Sequence, residues 1–401
     1  ETKGFECIML DYPLESDKQE LRVKGLRFIG ECFSSVFTQK RKHAFFREIA
    51  DWESRITSLS PDRVYLDAQC ALRTALYHKL GIPVVLVETM PLSLYDPWVP
   101  PFTSGLIPKQ TSISRLGIRL AWEKIVIVRK IRNLFFSMLL CRQDYFSLYK
   151  RLFLECGFPF EEKIDWRRPF IIGIKESKIL SMNPSSLDFP RKYPPNCQYA
   201  PSRVDLTRED PMLNRRYARV MEEVCLQKQQ RPDTKIIYCF SSTVMGFEKR
   251  SKIIFMKIRD ICLRNPQFVF ILSVGKYHNT SYLLPCPSNL YVFQQVPQLH
   301  LLSYCDLMIT SGGMNSIAEC IEKEVPMLVC PLSLKSDQLG NSARVVYHGL
   351  GLRARIKLDS SRTIEKRIVQ LFENYATFKR NLSMMRTKIL AESTAINTEV
   401  I

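Results

Sequence analysis

The C-terminal half of the chain alternates short apolar runs with longer amphipathic stretches. The apolar runs predict strands at Ile236–Phe240, Phe268–Ser273, Leu290–Phe293, Leu307–Thr310, Met327–Cys330 and Gly351–Ile356. The amphipathic stretches between most of them predict helices at Glu248–Arg264, Met314–Lys323, Asp337–His348 and Ser361–Tyr375. Short apolar strands that alternate with helices are typical of a parallel sheet covered by helices on both faces. Such sheets bind ligands at the carboxyl ends of their strands.

The N-terminal half shows the same alternation in one place. A strand predicted at Arg63–Leu66 is followed by a helix at Ala68–Leu80 and a strand at Pro83–Val87. Gly81 supplies the helix stop, so these elements form one β-α-β unit. A further strand is predicted at Lys178–Met182. The predicted fold class is therefore α/β, with two doubly wound domains.

A change of composition marks the predicted domain boundary. Residues 206–233 are polar and charged and carry no strand signal, which is typical of a connection between domains. The prediction is an N-terminal domain over 1–205, a linker over 206–233 and a C-terminal domain over 234–375. A C-terminal helix over 376–401 is expected to pack back toward the N-terminal domain.

Cysteine usage indicates a reduced, cytoplasmic protein. The chain of 401 residues has 13 cysteines, an odd number, and no C-x-x-C pair. Cys239, Cys320 and Cys330 lie inside apolar runs, where a free thiol packs as a small hydrophobic group. No apolar run approaches the roughly 18–20 residues that a membrane-spanning helix needs.

The net charge of +18 points to an anionic partner. Between Lys109 and Arg132, seven basic residues and the single acid Glu123 are interleaved with apolar ones. One interpretation is a peripheral contact with an anionic membrane. The other is a pair of helices in the N-terminal domain with a solvated basic face. Nucleic acid is not expected, because no nucleic-acid-binding signature accompanies the charge.

Glycine is concentrated in one segment that could bind phosphate. Five of the 15 glycines fall between Gly312 and Gly351. The strand Leu307–Thr310 runs into the small-residue turn 311–316, and a helix follows. Free amides at the positive end of a helix dipole are suited to a diphosphate. The alternative is plain turn chemistry, since neither the Walker pattern nor the dinucleotide pattern G-x-G-x-x-G is present.

The residues around this turn occur in a distinctive order. They are Gln295-Val296-Pro297-Gln298-Leu299, Thr310–Ser316 with Glu319, Val325-Pro326-Met327 with Pro331, Asp337-Gln338 with Asn341, and Gly349-Leu350-Gly351. In order and nearly in spacing, this segment resembles the signature of the UDP-glycosyltransferase family, which includes plant, macrolide and sterol glycosyltransferases. Residues 61–67 and 80–83 resemble the family more loosely. The resemblance implies a GT-B fold, in which two Rossmann-like domains, an N-terminal acceptor domain and a C-terminal donor domain, flank an interdomain cleft.

The resemblance also implies which residues hold a nucleoside-diphosphate sugar, most simply a UDP-sugar. From base to sugar they are the backbone of Val296 and Gln298 for uracil, Ser311, Gly312, Gly313, Asn315 and Ser316 for the diphosphate, Glu319 for the ribose, and Asp337 and Gln338 for the sugar hydroxyls. An adjacent carboxylate and amide can hold neighbouring hydroxyl groups. Ser242, after the strand Ile236–Phe240, is either a second phosphate contact or a helix N-cap. No metal and no further cofactor is expected.

Three positions depart from the family pattern. Serine stands at position 311, where the family usually has a histidine that contacts the phosphates. Gln295 stands where the family has a tryptophan that stacks on the base. Five residues separate Pro331 from Asp337, two more than is usual, which bears on which sugar fits.

The resemblance implies an inverting, metal-independent displacement. A histidine oriented by an aspartate deprotonates the acceptor hydroxyl, and the helix N-terminus stabilises the leaving diphosphate. Asp67 matches the orienting aspartate, with a helix N-cap as the alternative. None of the five histidines follows a first strand in the required way, so this strand and the base are expected to precede Glu1. The absence of a D-x-D motif agrees with a mechanism without metal.

The predicted function is transfer of a hexose to a hydroxyl of a small or lipidic apolar acceptor. The loop Thr89–Pro108 carries Tyr95, Trp98 and Phe102 and is expected to line the acceptor site, although these aromatics can equally pack the loop down. Two alternatives stay open. One is a non-catalytic sugar-nucleotide-binding protein, and the other is a glycosyltransferase of the cell-wall or glycolipid type.

Overall fold

The computed structural model describes residues 39–169, 172–192, 194–200, 204–208, 215–240, 248–275 and 279–394. The contacts divide the chain into two compact units. Unit 1 comprises residues up to Val87 together with Trp122–Ile179, and unit 2 comprises Glu88–Ala121 together with the chain from Leu180 onward.

Unit 1 contains the predicted β-α-β unit. Strands β1 (Val64–Asp67) and β2 (Val84–Glu88) pair in parallel, with Val64 opposite Val84. The predicted helix between them begins as a 3-10 helix (Ala68–Arg73) and continues as the α-helix α2 (Thr74–Lys79). The helices around them are α1 (Lys40–Leu59), α2 (Thr74–Lys79), the second part of α3 (Ser112–Leu139), α4 (Tyr145–Glu155) and α5 (Phe160–Lys163). A short antiparallel pair, β3 (Ile164–Asp165) and β4 (Gly173–Ile174), leads toward β5 (Lys178–Ser181).

Unit 2 is built on a parallel sheet of six described strands in the order β12-β11-β10-β7-β8-β9. The strands are β7 (Lys235–Phe240), β8 (Phe268–Ser273), β9 (Leu290–Phe293), β10 (Leu307–Thr310), β11 (Met327–Val329) and β12 (Gly351–Arg353). Its helices are α6 (Arg215–Gln230), α7 (Glu248–Arg264), α8 (Gln298–Leu302), α9 (Met314–Glu322), α10 (Gln338–Tyr347), α11 (Ser361–Glu373) and α12 (Tyr375–Thr394). Strand β6 (Cys197–Tyr199) also lies in this unit. The strands and helices predicted for residues 234–375 are confirmed.

Alternating residues of the sheet strands belong to two separate hydrophobic clusters. Ile236 on β7 packs in one cluster with Val224 of α6. Its neighbour Ile237 packs in the other cluster with Phe255 of α7. The sheet is therefore covered on both faces, as the continuous apolar runs predict.

The segment predicted as a linker includes part of the core. Helix α6, inside residues 206–233, buries Tyr217, Val220, Met221 and Val224 in the same cluster as the sheet. Its many charged residues lie on the opposite side, which gives the segment its polar composition. The division between the units also falls elsewhere than at residue 205. The structure thus revises the linker to a helix of the C-terminal unit.

The C-terminal helix packs against residues close to β5. The Glu392 carboxylate on α12 accepts hydrogen bonds from the backbone N–H groups of Ser185 and Ser186, each at 2.8 Å. These serines belong to unit 2 by contacts, although they lie within the segment 1–205.

The basic stretch between Lys109 and Arg132 lies mostly in one helix, α3, and not in the pair of helices that one interpretation of the sequence predicted. Helix α3 is one continuous helix of 28 residues, Ser112–Leu139. No helix in the described ranges is both long and apolar enough to cross a membrane. The described cysteines are free thiols, and Cys239, Cys320 and Cys330 are buried as predicted.

Candidate donor-binding site

The turn after β10, residues 311–316, has a backbone that requires glycine at its second position. Gly312 has φ +89, and its N–H donates to the Thr310 hydroxyl at 3.2 Å. A Cβ placed on Gly312 would lie 2.7 Å from Cγ1 of Val329 on the neighbouring strand. Both the dihedral angle and the lack of space exclude a side chain here.

The N-terminus of α9 offers free amides to a ligand. Gly313 is the N-cap residue, no side chain caps the helix, and the first backbone bond runs from Ile317 N to Gly313 O at 3.1 Å. The amides of residues 313–316 accordingly donate to no residue in the described part of the chain. A Cβ on Gly313 would meet nothing within 4 Å. Asn315 is exposed, and Ser311 and Ser316 are buried. Such a terminus is a site for an anion.

Behind this terminus, Gln298 connects α8 to α9. Its carbonyl oxygen accepts from the Tyr238 hydroxyl at 3.0 Å, and its amide nitrogen donates to the Glu319 carboxylate at 2.6 Å. The same nitrogen lies 3.4 Å from the Ser316 hydroxyl. The structure therefore brings together three of the predicted residues, although Gln298 was predicted to act through its backbone.

Glu319 has a second partner that the sequence did not indicate. Its side chain is 7% exposed, and its Oε1 accepts from the Arg208 guanidinium at 3.2 Å. The Arg208 side chain is 47% exposed, so this ion pair contributes little free energy. A ligand hydroxyl that binds Glu319 can therefore take the place of Arg208 at small cost.

The predicted sugar-binding pair lies at the start of α10. Gln338 is buried, and its carbonyl oxygen accepts from the N–H groups of Leu332 and Ser333, both at 2.8 Å. Its amide NH₂ group has no partner among the described residues. Burial raises the pKa of the Asp337 carboxyl, and a hydrogen bond from Asn341 opposes that rise. The pair therefore presents one acceptor and one donor.

Asn341 joins the turn to the sugar-binding pair. Its amide nitrogen donates to Gly312 O at 2.9 Å and to the Asp337 carboxylate at 2.8 Å, and the residue is 1% exposed. Asn341 belongs to the sequence motif, but the motif alone implies no role for it. The signal was its spacing, because residues four apart on a helix share one face.

The loop predicted to line the acceptor site packs partly on α10. Val99 and Phe102 are buried, and a Cβ on Gly340 would lie 2.1 Å from the Phe102 carbonyl oxygen. Gly340 thus allows the loop to approach the helix closely. Tyr95 and Trp98 remain exposed. Packing therefore accounts for Phe102, and the role of the other two aromatics in acceptor binding stays a prediction.

Asp67, in unit 1, caps a helix. Its carboxylate accepts from Gln69 N at 2.7 Å, and the residue is exposed. No histidine of the described ranges is hydrogen-bonded to a carboxylate. His348 contacts the carbonyl oxygens of Leu187 and Asp188, each at 3.1 Å. Ser242 and the residues before position 39 lie outside the described residues.

The sequence profile of the family described as UDP-glucoronosyl and UDP-glucosyl transferase matches residues 279–391. Residues 279–391 are therefore similar to the UDP-glycosyltransferase family. The matched stretch contains the turn at Gly312, Glu319 and the pair Asp337-Gln338. Asp67 and Ser242 lie outside it.

Curated relatives are similar to parts of the chain. The NDP-glycosyltransferase YjiC of Bacillus subtilis (strain 168) is 37% identical over 98 residues, 24% of this chain and 24% of its own length. The zeaxanthin glucosyltransferase of Pantoea ananas is 34% identical over 101 residues, 25% of this chain and 22% of its own length. The chain thus aligns with about a quarter of the length of these relatives.

Solved structures match a larger part of the chain. The glycotransferase of kitacinnamycin has a TM-score of 0.57 at 17% identity and covers 91% of this chain and 79% of its own. CalG4, the calicheamicin glycosyltransferase, has a TM-score of 0.55 at 15% identity, with coverages of 90% and 80%. Spinosyn rhamnosyltransferase SpnG, complexed with thymidine diphosphate, has a TM-score of 0.54 at 17% identity, with coverages of 93% and 80%. The predicted GT-B fold class is confirmed.

Proposed function

We propose that this chain binds a nucleoside-diphosphate sugar, most simply a UDP-sugar, and transfers its hexose to a hydroxyl of an apolar small molecule or lipid. The observation that carries the proposal is the bridge made by Asn341. Through it, the open N-terminus of α9 and the pair Asp337-Gln338 are held at one end of the sheet. A phosphate site beside a hydroxyl-binding pair suits a sugar joined to a diphosphate.

The donor would lie along three helix N-termini. The amides of residues 313–316 and the side chains of Asn315 and Ser316 hold the diphosphate, with Ser311 and Gly312 shaping the turn. Glu319 accepts hydrogen bonds from the ribose in place of Arg208. The backbone of Val296 and Gln298 holds the base. Their N–H groups are available for this, because neither donates to another residue of the described ranges.

Asp337 and Gln338 would hold the sugar. The Asp337 carboxylate accepts from one hydroxyl, and the Gln338 NH₂ group donates to its neighbour, since the Gln338 carbonyl is already bound to backbone. The half-buried, Asn341-bound position of Asp337 reduces the freedom that binding has to remove.

The names of similar proteins support the two substrate classes. One solved structure is named as a complex with thymidine diphosphate, a pyrimidine nucleoside diphosphate. One relative is named for zeaxanthin, which suits an acceptor that is apolar and carries a hydroxyl group. The exposed Tyr95 and Trp98 suit such an acceptor here.

The transfer would invert the anomeric carbon by direct displacement without a metal. The acceptor hydroxyl gives its proton to a general base, and its oxygen forms a bond to the anomeric carbon as the bond to the diphosphate oxygen breaks. The amides of α9 stabilise the negative charge that grows on the leaving diphosphate. One oxygen of Asp67 is used by Gln69 N, and the other is available to orient a base.

Calorimetric titration with UDP, TDP and their glucose conjugates tests donor binding. Glu319→Ala is expected to weaken binding by about 1.5–3 kcal/mol, the contribution of hydrogen bonds to a charged group. Glu322→Ala is the matched control, because Glu322 lies on the same helix and pairs with Arg386 instead. An unchanged affinity in Glu319→Ala, with the fold intact by thermal melting, would remove Glu319 from the site.

A non-catalytic sugar-nucleotide-binding protein is the second candidate. It is favoured by one observation, that no histidine in the described part of the chain is hydrogen-bonded to a carboxylate. Both candidates bind UDP, so an assay of UDP release from UDP-glucose with a panel of apolar alcohols and phenols separates them. Release that depends on the acceptor supports the transferase, and tight binding without release supports the binding protein.

A further inference from the structure

Helix α3 carries apolar residues on two opposite faces. Its inner face buries Ile118, Trp122 and Phe136. Its outer face bears nine apolar side chains that are 51–85% exposed: Ile113, Leu116, Leu120, Ile127, Val128, Ile131, Leu134, Phe135 and Met138. An exposed apolar surface of this extent marks an interaction site.

The outer side chains form one continuous stripe. At 3.6 residues per turn they fall within an arc of about 120°, centred opposite Trp122. The helix has 28 residues, so the stripe is about 40 Å long. Ile113 lies near one end and Met138 near the other.

Cations follow one edge of the stripe. Arg119 and Lys130 are exposed on the same flank, whereas the acid Glu123 is bound by the Arg167 guanidinium at 3.1 Å. Lys124 is exposed within the stripe itself. The surface is therefore apolar and basic at once, with its one acidic group neutralised.

An exposed aromatic side chain lies beside the N-terminal end of α3. Trp98 is 45% exposed, and the Arg115 guanidinium lies 3.7 Å from its ring centroid. Tryptophan with its polar edge in water and its ring in an apolar layer is typical of the boundary between lipid headgroups and acyl chains.

We propose that the outer face of α3 lies in the interface of an anionic membrane. A bilayer surface supplies an apolar layer into which such a helix sinks by about 5–10 Å, and anionic headgroups supply the counter-charge. A second copy on the same face would instead bring two rows of cations together without acids to pair them. The basic residues along the helix also disfavour a membrane-spanning position.

Vesicle flotation of the full 401-residue chain tests this surface without any donor or acceptor, so its result is independent of the transferase assay. The chain is expected to float with vesicles of phosphatidylcholine and phosphatidylserine, and less with phosphatidylcholine alone. The double variant Leu120→Asn/Ile131→Asn is expected to lower the partition coefficient at least tenfold. The control Leu263→Asn/Leu390→Asn replaces two equally exposed leucines on other helices and should float like the wild type.

A variant that lacks two cations provides a second test of membrane binding. Lys124→Ala/Lys130→Ala is expected to lower partition onto the anionic vesicles by roughly 25-fold, about fivefold for each cation, with little effect on neutral vesicles. The proposal is overturned if the wild-type chain does not float, or if Leu120→Asn/Ile131→Asn floats unchanged. It is also overturned if light scattering shows a dimer that the same substitutions dissociate, because the occupant is then a second copy.

Discussion

Gly312 and Gly313 are neighbours with different structural demands. Gly312 has a left-handed backbone and no space for a Cβ, whereas Gly313 has φ −67 and open space around it. We expect Gly312→Ala to lower the free energy of unfolding by about 3 kcal/mol, from backbone strain and overpacking against Val329. Gly313→Ala should lie within about 0.5 kcal/mol of the wild type. Urea denaturation measures both, and equal effects would contradict this description of the turn.

The Asp337 carboxylate is expected to lower the free energy of unfolding at neutral pH, although it contributes to binding of the sugar. Burial raises its pKa, so its charge at neutral pH disfavours the folded state. Asp337→Asn should therefore raise the melting temperature near pH 7, and the amide can still accept the bond from Asn341. The wild type binds an extra proton when folded between the ordinary carboxyl pKa of about 3.9 and the raised value, so its stability falls as pH rises through that window.

Two measurements check this prediction. Melting temperatures across pH should show the gap between Asp337→Asn and wild type closing as the pH falls toward 4. Titration should show weaker binding of the nucleotide sugar, with little change for the nucleotide alone. A variant less stable than wild type at pH 7 would show that the carboxylate stabilises the fold.

At the scale of single residues, the sequence predicted which residues lie near one another better than it predicted their hydrogen-bond partners. The spacing of the motif located Gln298, Glu319 and Asp337. It did not indicate that Arg208 pairs with Glu319, because the two are 111 positions apart in sequence. Nor did it indicate that Gln298 uses its side chain, since that depends on the depth of Tyr238 in the core.

Helix α6 was not predicted from the sequence, because its many polar and charged residues are typical of a linker. Met221 is buried against the sheet and Leu226, on the same helix, is exposed. We predict that Met221→Ala lowers the free energy of unfolding by about 2–5 kcal/mol, the usual cost of a core truncation. Leu226→Ala should change it by less than about 0.5 kcal/mol. If the two substitutions change the free energy of unfolding equally in urea denaturation, residues 215–230 are a linker and not part of the core.

The sequence predicted the strands of the large sheet well because most are short, mainly apolar runs. Strand β8 and strand β10 agree with their predicted bounds. Amphipathic elements with many charges were harder. Helix α3 is apolar on two sides, so its periodicity does not distinguish one long helix from a pair.

At the scale of the whole molecule, the similarity of fold extends over much more of the chain than the similarity to the family. The family match covers residues 279–391, while structures only 15–17% identical share the fold over about 90% of the chain. The packing of apolar layers thus survives where sequence identity does not. The division into units was not predictable from sequence, because it depends on long-range contacts of residues 88–121.

The proposed function depends on the amides at the start of α9, which are proposed to hold the diphosphate. Hydrogen exchange of the full chain, with and without saturating UDP, tests it most directly, and uridine serves as the control that lacks the diphosphate. We predict that UDP slows exchange of the amides at residues 313–316 and that uridine does not. Unchanged exchange at these residues, while calorimetry shows UDP bound, would contradict the claim.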